Sequence, residues 1–199
     1  MGEACKGRLG DNTPDRPPIQ WRLGSPASRD AVTFTAAKRY DFRDQAGDYA
    51  GLADELRGLL SGESDLVANA ANMSALLFDA LPDLNWAGFY FLKRGELVVG
   101  PFQGKPACVR IALGKGVCGT AAQERRTIVV PDVNAFPGHI ACDAASQSEI
   151  VVPLIVGGKV LGVLDIDSPR LARFNEGDAR GLERMVSIFL DSIRIEDVA

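Results

Sequence analysis

Apolar residues recur at helical spacing early in the chain. Tyr49, Leu52, Leu56, Leu59 and Leu60 form one stripe, closed by Gly62. Leu66, Ala70, Met73, Leu77 and Leu81 form a second, opened by Ser64 and Asp65 and closed by Pro82. The pattern then changes. WAGFYFL (86–92) and ELVVG (96–100) are rich in aromatic and β-branched residues, and the Lys-Arg-Gly between them predicts a hairpin. GKGVCGTAAQ (114–123) predicts a short helix entered through glycines, and TIVVPD (127–132) predicts a strand. IVVPLIV (150–156) and VLGVLDID (160–167) predict two more strands, joined through Gly157-Gly158. A last helix is expected from about Glu176 to Ile193, with Ala179, Leu182, Met185, Val186, Phe189 and Leu190 on its apolar side. Residues 134–148, NAFPGHIACDAASQS, have no period; irregular runs of this length are usually lids or binding loops. Two helices, antiparallel strands with one helical insert, then a helix describe an α+β domain with helices packed on a central antiparallel sheet. No internal repeat is visible.

Residues 1–39 fall outside this scheme. They hold four of the 11 prolines and carry a charge of +3, leaving −7 on the rest of the 199-residue chain. Such a segment buries too little apolar surface to offset ordering its backbone, so a mobile extension is expected there, with the catalytic domain over 40–199. The net charge of −4 argues against a protein that neutralises nucleic-acid phosphates or anionic lipid. No apolar run approaches the ~20 residues of a transmembrane helix, and the N-terminus lacks the apolar stretch of a secretory signal. A cytoplasmic protein is expected, binding neither nucleic acid nor membrane.

Chemistry is concentrated in the second half of the chain. Of four cysteines, Cys5 lies in the extension, while Cys108, Cys118 and Cys142 fall among loops and short elements. There is no CxxC, and the single His139 does not complete the usual spacing of a zinc site, so no metal is expected. The three thiols read either as small buried hydrophobes or as a redox set. Cys118 stands at a helix start, where the helix dipole favours the reactive thiolate, and Cys142 lies in a polar loop. Asp165 and Asp167 share one face of a strand with Val163 and Leu161, so both carboxylates rise from an apolar wall. A two-residue turn at Gly157-Gly158 pairs Glu149 with Ile166 and sends it to the opposite face. A longer connection, or a bulge near Pro153, brings Glu149 to the aspartates instead. Trp86 and Tyr90 share a face of the first strand. They are either core residues or an aromatic wall suited to a ligand with cationic and apolar ends.

NWAGFYFL, GPFQGKPACVRIALGKGVCGTAA, VVPDVNAFPGHIACDAASQSEIVVPL and GVLDIDSP together resemble the free methionine-R-sulfoxide reductases, which are stand-alone GAF-domain enzymes. The resemblance covers about residues 45–192 and includes Cys108, Cys118 and Cys142 in order. It implies a GAF fold, with a six-stranded antiparallel sheet flanked by helices, usually in a homodimer. It also implies reduction of free L-methionine (R)-sulfoxide to methionine by protein thiols that thioredoxin regenerates, with no metal or organic cofactor. In that scheme Cys142 is the sulfenic-acid-forming nucleophile, Cys108 its main resolving cysteine and Cys118 a third cysteine. Trp86, Tyr90, Glu149, Asp165 and Asp167 match residues around the substrate, and any of the three carboxyls could be the acid that protonates the sulfoxide oxygen.

A ligand-sensing GAF module is the competing expectation, and a redox sensor without turnover is a third. Three thiols around a pocket are more than ligand sensing needs. The single helix after Asp167 leaves little room for an output domain.

Overall fold

The computed structural model describes residues 40–139 and 143–194. The extension expected over 1–39, with Cys5, and the nucleophile candidate Cys142 lie outside the described residues.

Helix α1 (Gln45–Leu59) is capped by Asp44, whose side chain accepts from the Gly47 backbone N–H, and α2 (Leu66–Ala80) is capped by Asp65. Leu81 leaves the helix in an extended conformation because Pro82 disfavours helical geometry in the residue before it. Strand β1 (Trp86–Lys93) turns into β2 (Glu96–Gly104) through Arg94 and Gly95, which have φ of 54° and 85°. Two successive positive φ values make the tight turn whose twist matches a hairpin. Next come β3 (Arg110–Ala112), α3 (Gly116–Glu124), β4 (Ile128–Val130), β5 (Ser148–Val156), β6 (Lys159–Ser168) and α4 (Glu176–Ser192). The hydrophobic pattern foretold each of these except β3, whose three residues are too few to show a period.

The six strands form one sheet in the order β3-β2-β1-β6-β5-β4, and every ladder is antiparallel. Helices α1, α2 and α4 cover one face. Leu52, Leu56, Met73 and Leu77 meet Ala87, Phe89, Ile150, Leu164 and Ile166 of the sheet there, with Phe189 of α4 against Phe89 at 4.8 Å between ring centroids. The other face carries α3 and the irregular segments over a smaller cluster that includes Trp86, Tyr90, Cys118, Val151 and Val163. This second face holds the chemistry.

Register decides which side chains reach it. Val156 pairs with Lys159 and Ile155 with Val160, but Leu154 pairs with Gly162. Leu161 is therefore an extra residue in β6, a bulge beside Pro153. The slip brings Glu149 opposite Asp167, on the same face as both aspartates. It also corrects the placement of Leu161, which the alternation of the strand had put beside them. Leu161 turns instead to the α1/α2/α4 core.

Candidate active site

Three neighbouring strands of the sheet, β1, β6 and β5, build the floor. Asp167 stands between Glu149 of β5 and Trp86 of β1, and Asp165 stands between Val151 and Gly88. Trp86 and Tyr90 stack at 5.7 Å, and the indole also stacks on Phe102 of β2 at 5.2 Å. Gly88 makes this possible: a Cβ there would run into Phe102 and the Trp86 ring. The indole N–H donates to the Lys105 carbonyl at 3.1 Å, which fixes its orientation.

Helix α3 supplies the thiol. It is entered through Gly114 and Gly116, with φ of 73° and 58°. At Gly119 a Cβ would strike the Ala112 carbonyl, so the helix start packs directly on the end of β3. That packing aims Cys118 at the carboxyls, with Sγ 3.8 Å from Glu149 Oε1. Over the top lie the two described ends of the irregular segment. His139 Nε2 approaches Glu149 Oε2 at 3.8 Å. Asp143 accepts from Lys105 Nζ and from Asn85 Nδ2, and Asn85 also donates to Ser146 at 2.9 Å. The cavity so enclosed has about 540 Å³ of empty space including its open mouth.

Crowding carboxyls in a buried site favours their protonated forms. Burial pushes Asp165 up to about 6. Burial, then the charges of Asp165 and Asp167, hold Glu149 well above the usual carboxylate range, and its hydrogen bond to Asp165 acts in the same direction. Asp167 is raised by burial and by Asp165. All three carboxyls thus hold a proton more tightly than an isolated carboxyl does. Burial lowers His139, so it faces Glu149 as a neutral ring rather than as half of an ion pair. Asp143, by contrast, is held below its usual range by the Ala145 N–H and then by Lys105.

Cys118 departs from expectation. The helix start was expected to favour its thiolate. Burial, and then Asp165 and Glu149, instead push the thiol well above its usual value. Dipole stabilisation at a helix end amounts to about 0.3–1 kcal/mol, less than the cost of placing a thiolate, buried, among carboxylates. Cys118 is a free, buried thiol, and Cys108 is disulfide-bonded.

Trp86, Tyr90, Cys118, Glu149, Asp165 and Asp167 therefore line one cavity. Cys108 adjoins it in sequence through Ala107, and Cys142 through Asp143, both of which line it. Residue patterns did not single out Phe102, Lys105, Asn85 or Ser146. Phe102 and Lys105 occur inside the quoted segment GPFQGKPA, but nothing in their spacing marks an indole support or an ion pair with a loop nearly 40 residues away.

The GAF domain family matches residues 67–191. The free methionine-R-sulfoxide reductase of Escherichia coli (strain K12) is 53% identical over 139 residues, covering 70% of this chain and 84% of that protein. The chain belongs to the free methionine-R-sulfoxide reductases, a GAF-domain family of oxidoreductases.

Two solved structures frame the family. A GAF protein from Burkholderia vietnamiensis, described as a putative sensor, shares 63% identity with a TM-score of 0.73, over 75% of this chain and 95% of its own. The free methionine-R-sulfoxide reductase of Neisseria meningitidis, solved in complex with its substrate, shares 43% identity with a TM-score of 0.72, over 81% and 94%. The span matched to the GAF family includes every cavity-lining residue named above and begins after α1.

Proposed function

We propose that the protein reduces free L-methionine (R)-sulfoxide to methionine through its thiols. The observation that carries this reading is the cluster of Glu149, Asp165 and Asp167, buried beside a thiol and faced by the Trp86–Tyr90 wall. Asp165 and Asp167 offer negative charge to the substrate ammonium, and the aromatic wall offers apolar contact to its methyl end. A peptide-bound methionine sulfoxide has no ammonium at that position, and its flanking backbone would meet the Lys105–Asp143 clasp.

The reaction follows from what each group can give. Glu149, protonated and hydrogen-bonded to Asp165, donates to the sulfoxide oxygen as the Cys142 thiolate attacks the sulfur. The oxygen passes to Cys142 as methionine leaves, so the sulfoxide is reduced by two electrons and Cys142 becomes a sulfenic acid. Cys108 condenses with that sulfenic acid, releasing water and forming a disulfide. Thioredoxin exchanges with the disulfide and returns both thiols. Neither a metal nor an organic cofactor takes part. Cys118, which resists ionisation, is a neutral neighbour of the acid in this scheme. The family resemblance further supports a homodimer, and the reliance on reducible thiols supports work in the cytoplasm.

The test is methionine release from the free R epimer, the free S epimer and a peptide-bound sulfoxide, with dithiothreitol or thioredoxin as reductant. Turnover of the free R epimer alone is expected. A folded protein with free thiols that turns over none of the three would overturn the reductase reading and leave a GAF binding or redox-sensing role.

A further inference from the structure

The floor of the cavity also presents a donor set of the kind that holds a metal ion. Cys118 Sγ and one carboxylate oxygen from each of Glu149 and Asp165 lie within 4.8 Å of one another, and all three residues are buried. Asp165 Oδ1, on a residue only 6% exposed that lines the cavity, has no hydrogen-bond partner. An unpartnered acceptor buried beside two further donors calls for a cation.

We propose that Cys118, Glu149 and Asp165 bind a thiophilic divalent cation of the zinc class. Spacing fits the size of such an ion. With Zn–S of about 2.3 Å and Zn–O of about 2.1 Å, tetrahedral coordination separates sulfur from oxygen by about 3.6 Å, and Cys118 Sγ lies 3.8 Å from Glu149 Oε1. Donor chemistry selects within the divalent ions. Calcium takes six to eight oxygens and magnesium a near-octahedral set of oxygens, whereas a thiolate with two carboxylates suits zinc or cadmium. Binding releases the thiol proton and any carboxyl protons to solvent, with no change of oxidation state. The fourth position opens to the cavity, so a water completes the shell.

The ion would sit where the substrate ammonium and the acid proton are needed, so occupancy stops methionine formation. That inhibition rests on the reductase reading above; the binding does not.

The probe is cadmium chloride added to the full chain carrying Cys5→Ser, with Cys108 kept in its disulfide, followed by the ultraviolet thiolate-to-cadmium charge-transfer band. A saturable band at one ion per chain is expected, absent in Cys118→Ser and weakened about tenfold or more in affinity by Asp165→Asn or Glu149→Gln. Circular dichroism confirms the fold of each variant. No band, a band that survives Cys118→Ser, or unchanged affinity in both carboxyl variants overturns the proposal. The second readout is turnover: zinc at about ten times its Kd should leave about one molecule in ten active, competitively with the sulfoxide. A Cys118-dependent band without inhibition of an active enzyme would keep the site and overturn its overlap with the substrate. Absence of turnover in the metal-free enzyme, with the band intact, speaks against the reductase reading alone.

Discussion

Glu149 stands directly across the β5–β6 ladder from Asp167, and it does so because Leu161 is skipped by the pairing. Without that extra residue Glu149 would face Ile166 and enter the apolar core. One bulge thus sets both the membership of the acidic cluster and its protonation, because the charges of Asp165 and Asp167 help hold the proton on Glu149.

If Glu149 is the proton donor, Glu149→Gln keeps the shape and loses the transferable proton. Single-turnover methionine formation should fall about 10²–10⁴-fold, with substrate affinity changed far less. Rapid-quench measurement on the reduced enzyme checks this. A variant within a few-fold of the parent would move the acid role to Asp167.

The two redox cysteines should separate kinetically. Cys142→Ser should form no methionine in a single turnover. Cys108→Ser should release one methionine per chain and then stall with thioredoxin as reductant. Stoichiometric methionine from the Cys142 variant would transfer the nucleophile role to Cys118.

Asp165 should make the fold more stable in mild acid. Its folded value is raised from 3.8 to about 6, so the folded state binds the proton more tightly than the unfolded chain. The stabilisation is complete below about 4 and is lost as pH rises through about 6. Thermal midpoints of the parent and of Asp165→Asn, measured from pH 4.5 to 8, should therefore differ in slope. The parent loses stability relative to the variant as pH rises. Parallel curves would mean that Asp165 titrates normally.

Lys105→Ala removes a cation that is 68% exposed from Asp143. Solvent screening leaves such an exposed pair little weight in stability, so the thermal midpoint should scarcely move. KM for the sulfoxide should rise several-fold, because the segment next to the nucleophile loses one of its two ties to the strands. A large drop in melting temperature with KM unchanged would make the pair a plain stability contact.

Most of the architecture was legible from the chain because helix stripes, caps and the hairpin turn are local signals. Asp65 before α2, Pro82 after it and Arg94-Gly95 between β1 and β2 mark their boundaries within a few residues of the effects they cause. The site was legible as residue types and, through the family resemblance, as membership. Its electrostatics were not. Helix position suggested a reactive Cys118; the carboxyls that oppose this arrive from strands 31 and 47 positions later in the chain. Glu149 hung on one unpaired residue that no alternation pattern reveals. Phe102 and Lys105 act through partners far away in sequence, and long-range pairs leave no period to read.

Strand β6 lies between β1 and β5 and joins the two halves of the sheet, β3-β2-β1 and β5-β4. As the chain is synthesised, Trp86, Cys118 and Glu149 all emerge before Asp165 and Asp167 exist to meet them. Until residues 159–168 insert, Cys118 has no acidic neighbours from β6 and no sheet to close over it. A nascent or partly unfolded molecule therefore presents an ordinary oxidisable thiol. The quietness of Cys118 is acquired with the last strand, and oxidation at this position would report on chains that never finished folding.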